Sequence, residues 1–142
     1  MRIPDSIHEL IATGPYAHLT TLNPDGSAQV TVVWVGIEEN EFVVGHMAAH
    51  KKVQNIRRDP RVVMSMLGRG KNAMGLQEYL VIHGTARITE GGAAALLQRL
   101  AHIYIGPHVE FPPASVRQNP GYITRLAPAR IGGVGPWNPS HT

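Results

Sequence analysis

The chain has 142 residues, 43% hydrophobic and 16% charged, with 13 Lys and Arg against 10 Asp and Glu for a net charge of +3. These figures fit a single globular domain over residues 1–142, exclude general disorder, and make no demand for a nucleic-acid partner, although a small anion would be attracted. The absence of cysteine excludes disulfides, thiolate metal centres and cysteine nucleophiles, so any electron chemistry must be carried by a bound cofactor.

The opening MRIPDSIHEL lacks the basic start and apolar run of a secretory signal, and no apolar stretch reaches the roughly 18 residues of a membrane span. A cytoplasmic protein with no membrane partner is expected. The low charge and 15 glycines suggest apolar surface covered by a partner subunit.

Ile3, Ile7, Leu10 and Ile11 recur at helical spacing behind Asp5 and Ser6, either of which could cap, and Gly14-Pro15 stops the helix. YAHLTTL (16–22) reads as a strand, Asn23-Pro24-Asp25-Gly26 as a tight turn, and Ala28 to Ile37 as one long β-rich run. The two should pair as a hairpin. Glu38 to Asn40 makes a second turn and Glu41 to His46 a third strand. A short basic helix follows, ended by Asp59-Pro60 because the residue before a proline avoids the helical region.

Arg61 to Leu67 is the fourth strand and residues 68–78, GRGKNAMGLQE, a flexible connection. Tyr79 to Thr89 is the fifth, with Gly84 marking a bulge or sharp bend. Gly91 to Ile103 is an Ala- and Leu-rich helix, and the proline-bearing segment 104–121 an irregular surface loop. Tyr122 to Val134 is a sixth strand, broken by Pro128 and Gly132-Gly133, and the tail GVGPWNPSHT has no regular signal. Six strands in hairpin order with marginal helices predict a mainly β fold, a small closed or nearly closed barrel.

The most informative stretch is HMAAHKKVQNIRRDPRVVMSML, residues 46–67. A helix start offers free backbone N–H groups and a partial positive charge, and His50, Lys51 and Lys52 stand at it with Asn55 one turn on. This is a receptor for phosphate or a similar anion. Val53 and Ile56 can pin the helix to a core. The alternative is a solvated basic helix between two strands.

NPDGSAQVTVVWV, then FVVGHMAAHKKVQNIRRDPRVVMSM, then YLVIHGTARIT, in that order, resemble the pyridoxamine-phosphate-oxidase-like split β-barrel flavoproteins. Within that superfamily the lysine-plus-NIRRDP segment is similar to the branch that uses coenzyme F420, a 5-deazaflavin. The resemblance implies a split barrel that forms a homodimer and binds its cofactors in grooves between the subunits. It implies that Val30, Thr31, Val32 and Val33, with Trp34, run past the ring, and that Gly45 and His46 form another wall. It further implies that His50, Lys51, Lys52 and Asn55 hold the phosphate, although many relatives carry arginine where this chain has His50.

Such a cofactor supplies the hydride itself, so the protein has only to hold the ring, offer donors to it and exclude water. No catalytic side chain is required, and no GxSxG, HExxH or carboxylate pair is present. F420 carries several negative charges, which Lys51, Lys52, Arg57 and Arg58 could follow, whereas FMN has one compact phosphate; the two arginines could equally face solvent.

Trp34 reads as core or interface packing, and Trp137 either covers a cofactor or packs the dimer. The histidines have no metal spacing, and Met47, Met64, Met66 and Met74 read as gap fillers. The expected function is F420-dependent hydride transfer to a small organic substrate. The alternatives are an FMN oxidase or flavin reductase, or a non-catalytic barrel that sequesters the ligand.

Overall fold

The computed structural model describes residues 1–138; the last four residues of the tail lie outside the described residues. In chain order the elements are α1 (Asp5–Ile11), β1 (Ala17–Leu22), β2 (Ala28–Val33), β3 (Gly36–Glu38), β4 (Glu41–His46), α2 (Lys51–Arg58), β5 (Arg61–Lys71), β6 (Gln77–Glu90), α3 (Ala93–Tyr104) and β7 (Tyr122–Val134). All strand pairs are antiparallel, in one sheet of order β2-β1-β5-β6-β7-β4-β3. No helix among the described residues is long and apolar enough to cross a membrane.

The long run Ala28 to Ile37 is not one strand. It divides at Trp34-Val35 into β2 and β3, which lie at opposite edges of the sheet. The sheet therefore has seven strands rather than six, and hydrogen bonding does not close it. Its edges meet through the chain instead, because only two residues separate the end of β2 from the start of β3. Val35, fully buried at that corner, anchors it to the core.

Other expectations hold or shift for local reasons. Asn23-Pro24-Asp25-Gly26 joins β1 to β2 in the predicted hairpin, with Ala17 facing Val33 and Leu22 facing Ala28. Segment 68–78 is no loose connection: β5 runs to Lys71 and β6 starts at Gln77. The intervening turn is stapled by Asn72, whose Oδ1 accepts from the amides of Met74 (2.9 Å) and Leu76 (3.0 Å).

β7 runs unbroken over 13 residues. Pro128 is tolerated because the β4 ladder ends at Leu126, so its missing N–H falls where no β4 partner stands. Opposite it, the register slips between His83 and Gly84, as the glycine suggested. A Cβ on Gly84 would lie 2.2 Å from the Ala127 carbonyl oxygen, so only glycine allows this approach. Neither Asp5 nor Ser6 caps α1; the Pro4 carbonyl takes the amides of Ile7 and His8.

The inward residues of the strands, among them Leu19, Phe42, Met64, Leu80, Ile82 and Leu126, form the main core with Ile3 and Ile7 beneath α1. Each such side chain contributes roughly 1.5–3 kcal/mol by leaving water. α3 lies over the other face of β4, where Val43, Ala93, Leu96, Leu100 and Ile123 make a second, smaller core. A Cβ on Gly45 would meet Leu97 Cγ at 2.9 Å, so this glycine sets how closely α3 approaches the strand.

Candidate functional site

The end of β2, the Trp34-Val35 corner, the end of β4 and the start of α2 converge on one cavity of about 330 Å³. Six residues expected from the sequence line it: Val32, Val33, Gly45, His46, His50 and Lys52. α2 is aimed here by Val53 and Ile56, both buried, so its first turn points into the cavity mouth. His50 occupies the N-cap with extended backbone and makes no side-chain cap bond. The Val53 and Gln54 amides donate to the His50 carbonyl, which leaves those of Lys51 and Lys52 without an intrahelical partner.

Lys52 is half-buried, and burial pulls its ammonium pKa down. Among the described residues no carboxylate pairs with it. An anion beside it would repay that desolvation, so the donor set suits a phosphate. His46, only 3% exposed, sits at the cavity wall with Nε2 2.7 Å from the hydroxyl of the fully buried Thr124. Burial first, then the charges of Lys52 and His50, lower its pKa to about 3. The imidazole is therefore neutral at pH 7 and serves as a hydrogen-bonding wall rather than a cation.

The remaining expected residues fall elsewhere. Val30 is exposed on the outward side of β2, whereas Thr31 faces inward. Its Oγ1 is buried with no hydrogen-bond partner among the described residues. Lys51, exposed, borders a separate recess with Asn23, Pro24, Asp25 and Ser27. Successive helical residues point about 100° apart, so Lys51 and Lys52 cannot both face one cavity squarely.

Asn55 is 1% exposed and fully engaged inside the protein. Its Nδ2 donates to Thr21 Oγ1 (3.1 Å), Asn23 Oδ1 (3.0 Å) and Gln29 Oε1 (3.3 Å), and its Oδ1 accepts from Arg58 (2.9 Å). It is a strut between α2 and the β1-β2 hairpin, set back from the lining of the cavity. Asn55→Ala should cost about 2 kcal/mol in urea unfolding, since it strands several buried polar atoms.

Arg58 also donates to the Leu22 carbonyl, and Arg57 stands 5.1 Å over the Tyr122 ring. Trp137 is a core residue: it is 8% exposed, joins the main cluster and donates Nε1 to the Tyr79 carbonyl at 3.1 Å. It does not line the cavity.

Trp34, which the resemblance had set beside the ring but whose side chain read as packing, lines the cavity with Met47, Leu97 and Phe111, which the sequence had not marked as binding residues. Trp34 stacks on Tyr104 (centroids 5.3 Å, planes 10° apart) and meets Phe111 at 5.2 Å. Tyr104 is fixed at both lone pair and proton: its hydroxyl accepts from the Val35 amide and donates to the Pro15 carbonyl at 2.6 Å. Met47 is part of the site wall, and Met74 is 79% exposed, so only Met64 and Met66 are core fillers. A bulky ring at Phe111, in a segment with no core pattern of its own, was the one available signal.

A solved F420 reductase is 27% identical, with a TM-score of 0.72, over 92% of this chain and 98% of its own. A conserved hypothetical protein from Mycobacterium tuberculosis is 24% identical with a TM-score of 0.72, over 94% of this chain and 84% of its own. The haem storage protein of Vibrio cholerae shares the fold at 18% identity and a TM-score of 0.62, over 94% of this chain and 95% of its own. No protein of curated function matches the chain by sequence. The pyridoxamine 5'-phosphate oxidase profile matches residues 3–135, which takes in every strand and helix described above. The chain therefore belongs to the pyridoxamine 5'-phosphate oxidase family.

Proposed function

We propose that the protein is an F420-dependent oxidoreductase that passes hydride between the deazaflavin and a small organic acceptor. The carrying observation is Lys52, half-buried and without a carboxylate partner among the described residues, at the start of α2 beside a cavity. The resemblance to an F420 reductase supports the choice of cofactor. The bound deazaflavin would supply the hydride chemistry. Lys52, His50 and the first amides of α2 would hold its phosphate, and Lys51 would meet charge further along the tail.

β2 pairs only with β1, so alternate backbone groups of residues 30–33 on its outer edge have no ladder partner and can hydrogen-bond the rim of a ring. Neutral His46 would shield the ring from water without competing for a proton. The Thr31 hydroxyl, buried and unpartnered among the described residues, is a further donor beside that path.

The same reading includes a homodimer. On the outer face of the sheet the registers align Val32, His18, Ser65 and Val81 in one row and Val30, Thr20, Val63 and His83 in the next. Val30 and Val32 are 57% and 59% exposed, an apolar edge that a second copy would cover. The cofactor groove beside Val32 would then lie at the subunit boundary.

One observation favours FMN instead. Arg57 and Arg58 are engaged by Tyr122 and the β1-β2 hairpin, which leaves His50, Lys51 and Lys52 for a single compact phosphate. Titration of the purified protein with each cofactor decides between them. Micromolar quenching of F420 fluorescence is expected, with weaker FMN binding; tighter FMN binding reverses the assignment. If neither binds, the oxidoreductase reading fails.

A further inference from the structure

The cavity has two unlike ends. His50 and Lys52, at the start of α2, make one of them basic beside the neutral His46, whereas Trp34 and Phe111, in ring contact, make the other apolar together with Met47 and Leu97. We infer that Phe111, held against Trp34 by the 105–121 strap, is the specificity-determining residue for a flat, uncharged aromatic acceptor. This rests on the reading of the basic end as the seat of the cofactor's anionic tail.

The strap has no helix or strand, yet Phe111 is not loosely placed. Gln98 on α3 grips the strap on both sides of it, accepting from the Phe111 amide (3.1 Å) and donating to the Val109 carbonyl (2.8 Å). Arg117 donates twice to the Pro112 carbonyl, at 3.1 and 2.8 Å, which folds the following residues back on the same point. Trp34 is fixed in turn by its stack on Tyr104.

The Phe111 and Trp34 rings lie 56° apart in a tilted pair, and both line the cavity. A third ring entering there meets both. Trp34, Met47, Leu97 and Phe111 offer no charge or hydrogen-bonding partner suited to an ion, so a carboxylate or ammonium on a guest held among them would be stripped of water with nothing in return.

The two tryptophans make this measurable without turnover, because each gives its own indole N–H signal in a ¹H–¹⁵N spectrum. Trp34 lines the cavity, and Trp137 is a reporter in the core. The probes are 2-acetylnaphthalene, flat and neutral; 2-naphthoate, its charged counterpart; and cyclohexyl methyl ketone, which lacks the aromatic ring. Titrating 2-acetylnaphthalene should shift the Trp34 signal saturably and leave Trp137 in place, with the other two at least tenfold weaker. Phe111→Ala should weaken the aromatic ketone about tenfold and Phe111→Tyr should restore it.

F420 and FMN titrations are run on the same variants and are expected to move less than twofold. Three results overturn the inference: equal binding of the three probes, no effect of Phe111→Ala, or displacement of the aromatic ketone by bound cofactor, which would give this end to the cofactor ring. Failure of both cofactors to bind overturns the proposed function alone, since the Trp34 titration reads the aromatic end separately.

Discussion

Lys52→Ala is expected to weaken F420 binding by about 1.5–3 kcal/mol, roughly 10- to 150-fold, measured by fluorescence quenching. The magnitude follows from where the ammonium stands. An exposed lysine facing a phosphate is screened by water and contributes little, whereas Lys52 is half-buried, already partly dehydrated and without a carboxylate among the described residues. A phosphate there gains a charge-assisted bond and offsets a desolvation that the folded chain has already borne. Lys51→Ala supplies the comparison. Its side chain is exposed at a neighbouring recess, so its loss should cost well under half as much and fade as salt is raised. Equal losses from the two variants would reject a specific role for Lys52.

The second large effect is on acid stability. In the folded protein burial lowers the pKa of His46 from 6.5 to about 3. The unfolded chain therefore takes up this proton first as the pH falls. The contribution of neutral His46 to stability is complete above pH 6.5 and declines below it, by up to about 1.4 kcal/mol per pH unit until the folded group titrates. His46→Gln keeps a partner for Thr124 but cannot titrate in this range. Urea unfolding of both proteins between pH 7 and pH 4 should give curves whose slopes differ by close to one proton. Parallel curves would mean that His46 is charged or solvated in the native state. Asp59, half-buried and held low by Arg61, titrates alike in both proteins and cancels from the comparison.

Much of this architecture could be read before any coordinates, and the misses have physical causes. The turn at Asn23 to Gly26 and the bulge at Gly84 were legible because proline and glycine leave local signals that packing does not override. The corner at Trp34-Val35 was not, because Val33, Trp34 and Val35 all favour extended backbone and the bend is imposed by burial of Val35. The extension of β5 to Lys71 was hidden as well. Gly68, Arg69, Gly70 and Lys71 carry no alternating pattern, and pairing with β6 alone makes them a strand.

The site divides the same way. His50 and Lys52 were visible because a helix start gives basic residues a purpose. Asn55 has the right spacing for that role, yet its amide is taken by Thr21, Asn23 and Gln29, partners distant in sequence that no local pattern announces. Phe111 arrives from a segment held by Gln98, by Arg117 and by backbone bonds from Gly91 and Ala93, none of which a local pattern announces. Trp137 looked available for a ligand because nothing in the tail revealed that the indole packs into the main core and bonds to Tyr79.

The two-residue corner between β2 and β3 has a mechanical consequence. Elsewhere around the sheet, separating neighbouring strands means breaking a ladder, but at this seam no ladder exists. A guest wider than the resting cavity can be admitted by swinging β2 away from β4 without breaking a ladder; the cost falls on the core packing of Val33 and Val35, the contacts of Trp34 with Tyr104 and Phe111, and the bond from Val35 to the tyrosine oxygen. Breathing of the pocket is thereby uncoupled from melting of the scaffold, and amides of β5 and β6 should stay protected from exchange while those at residues 33–36 do not.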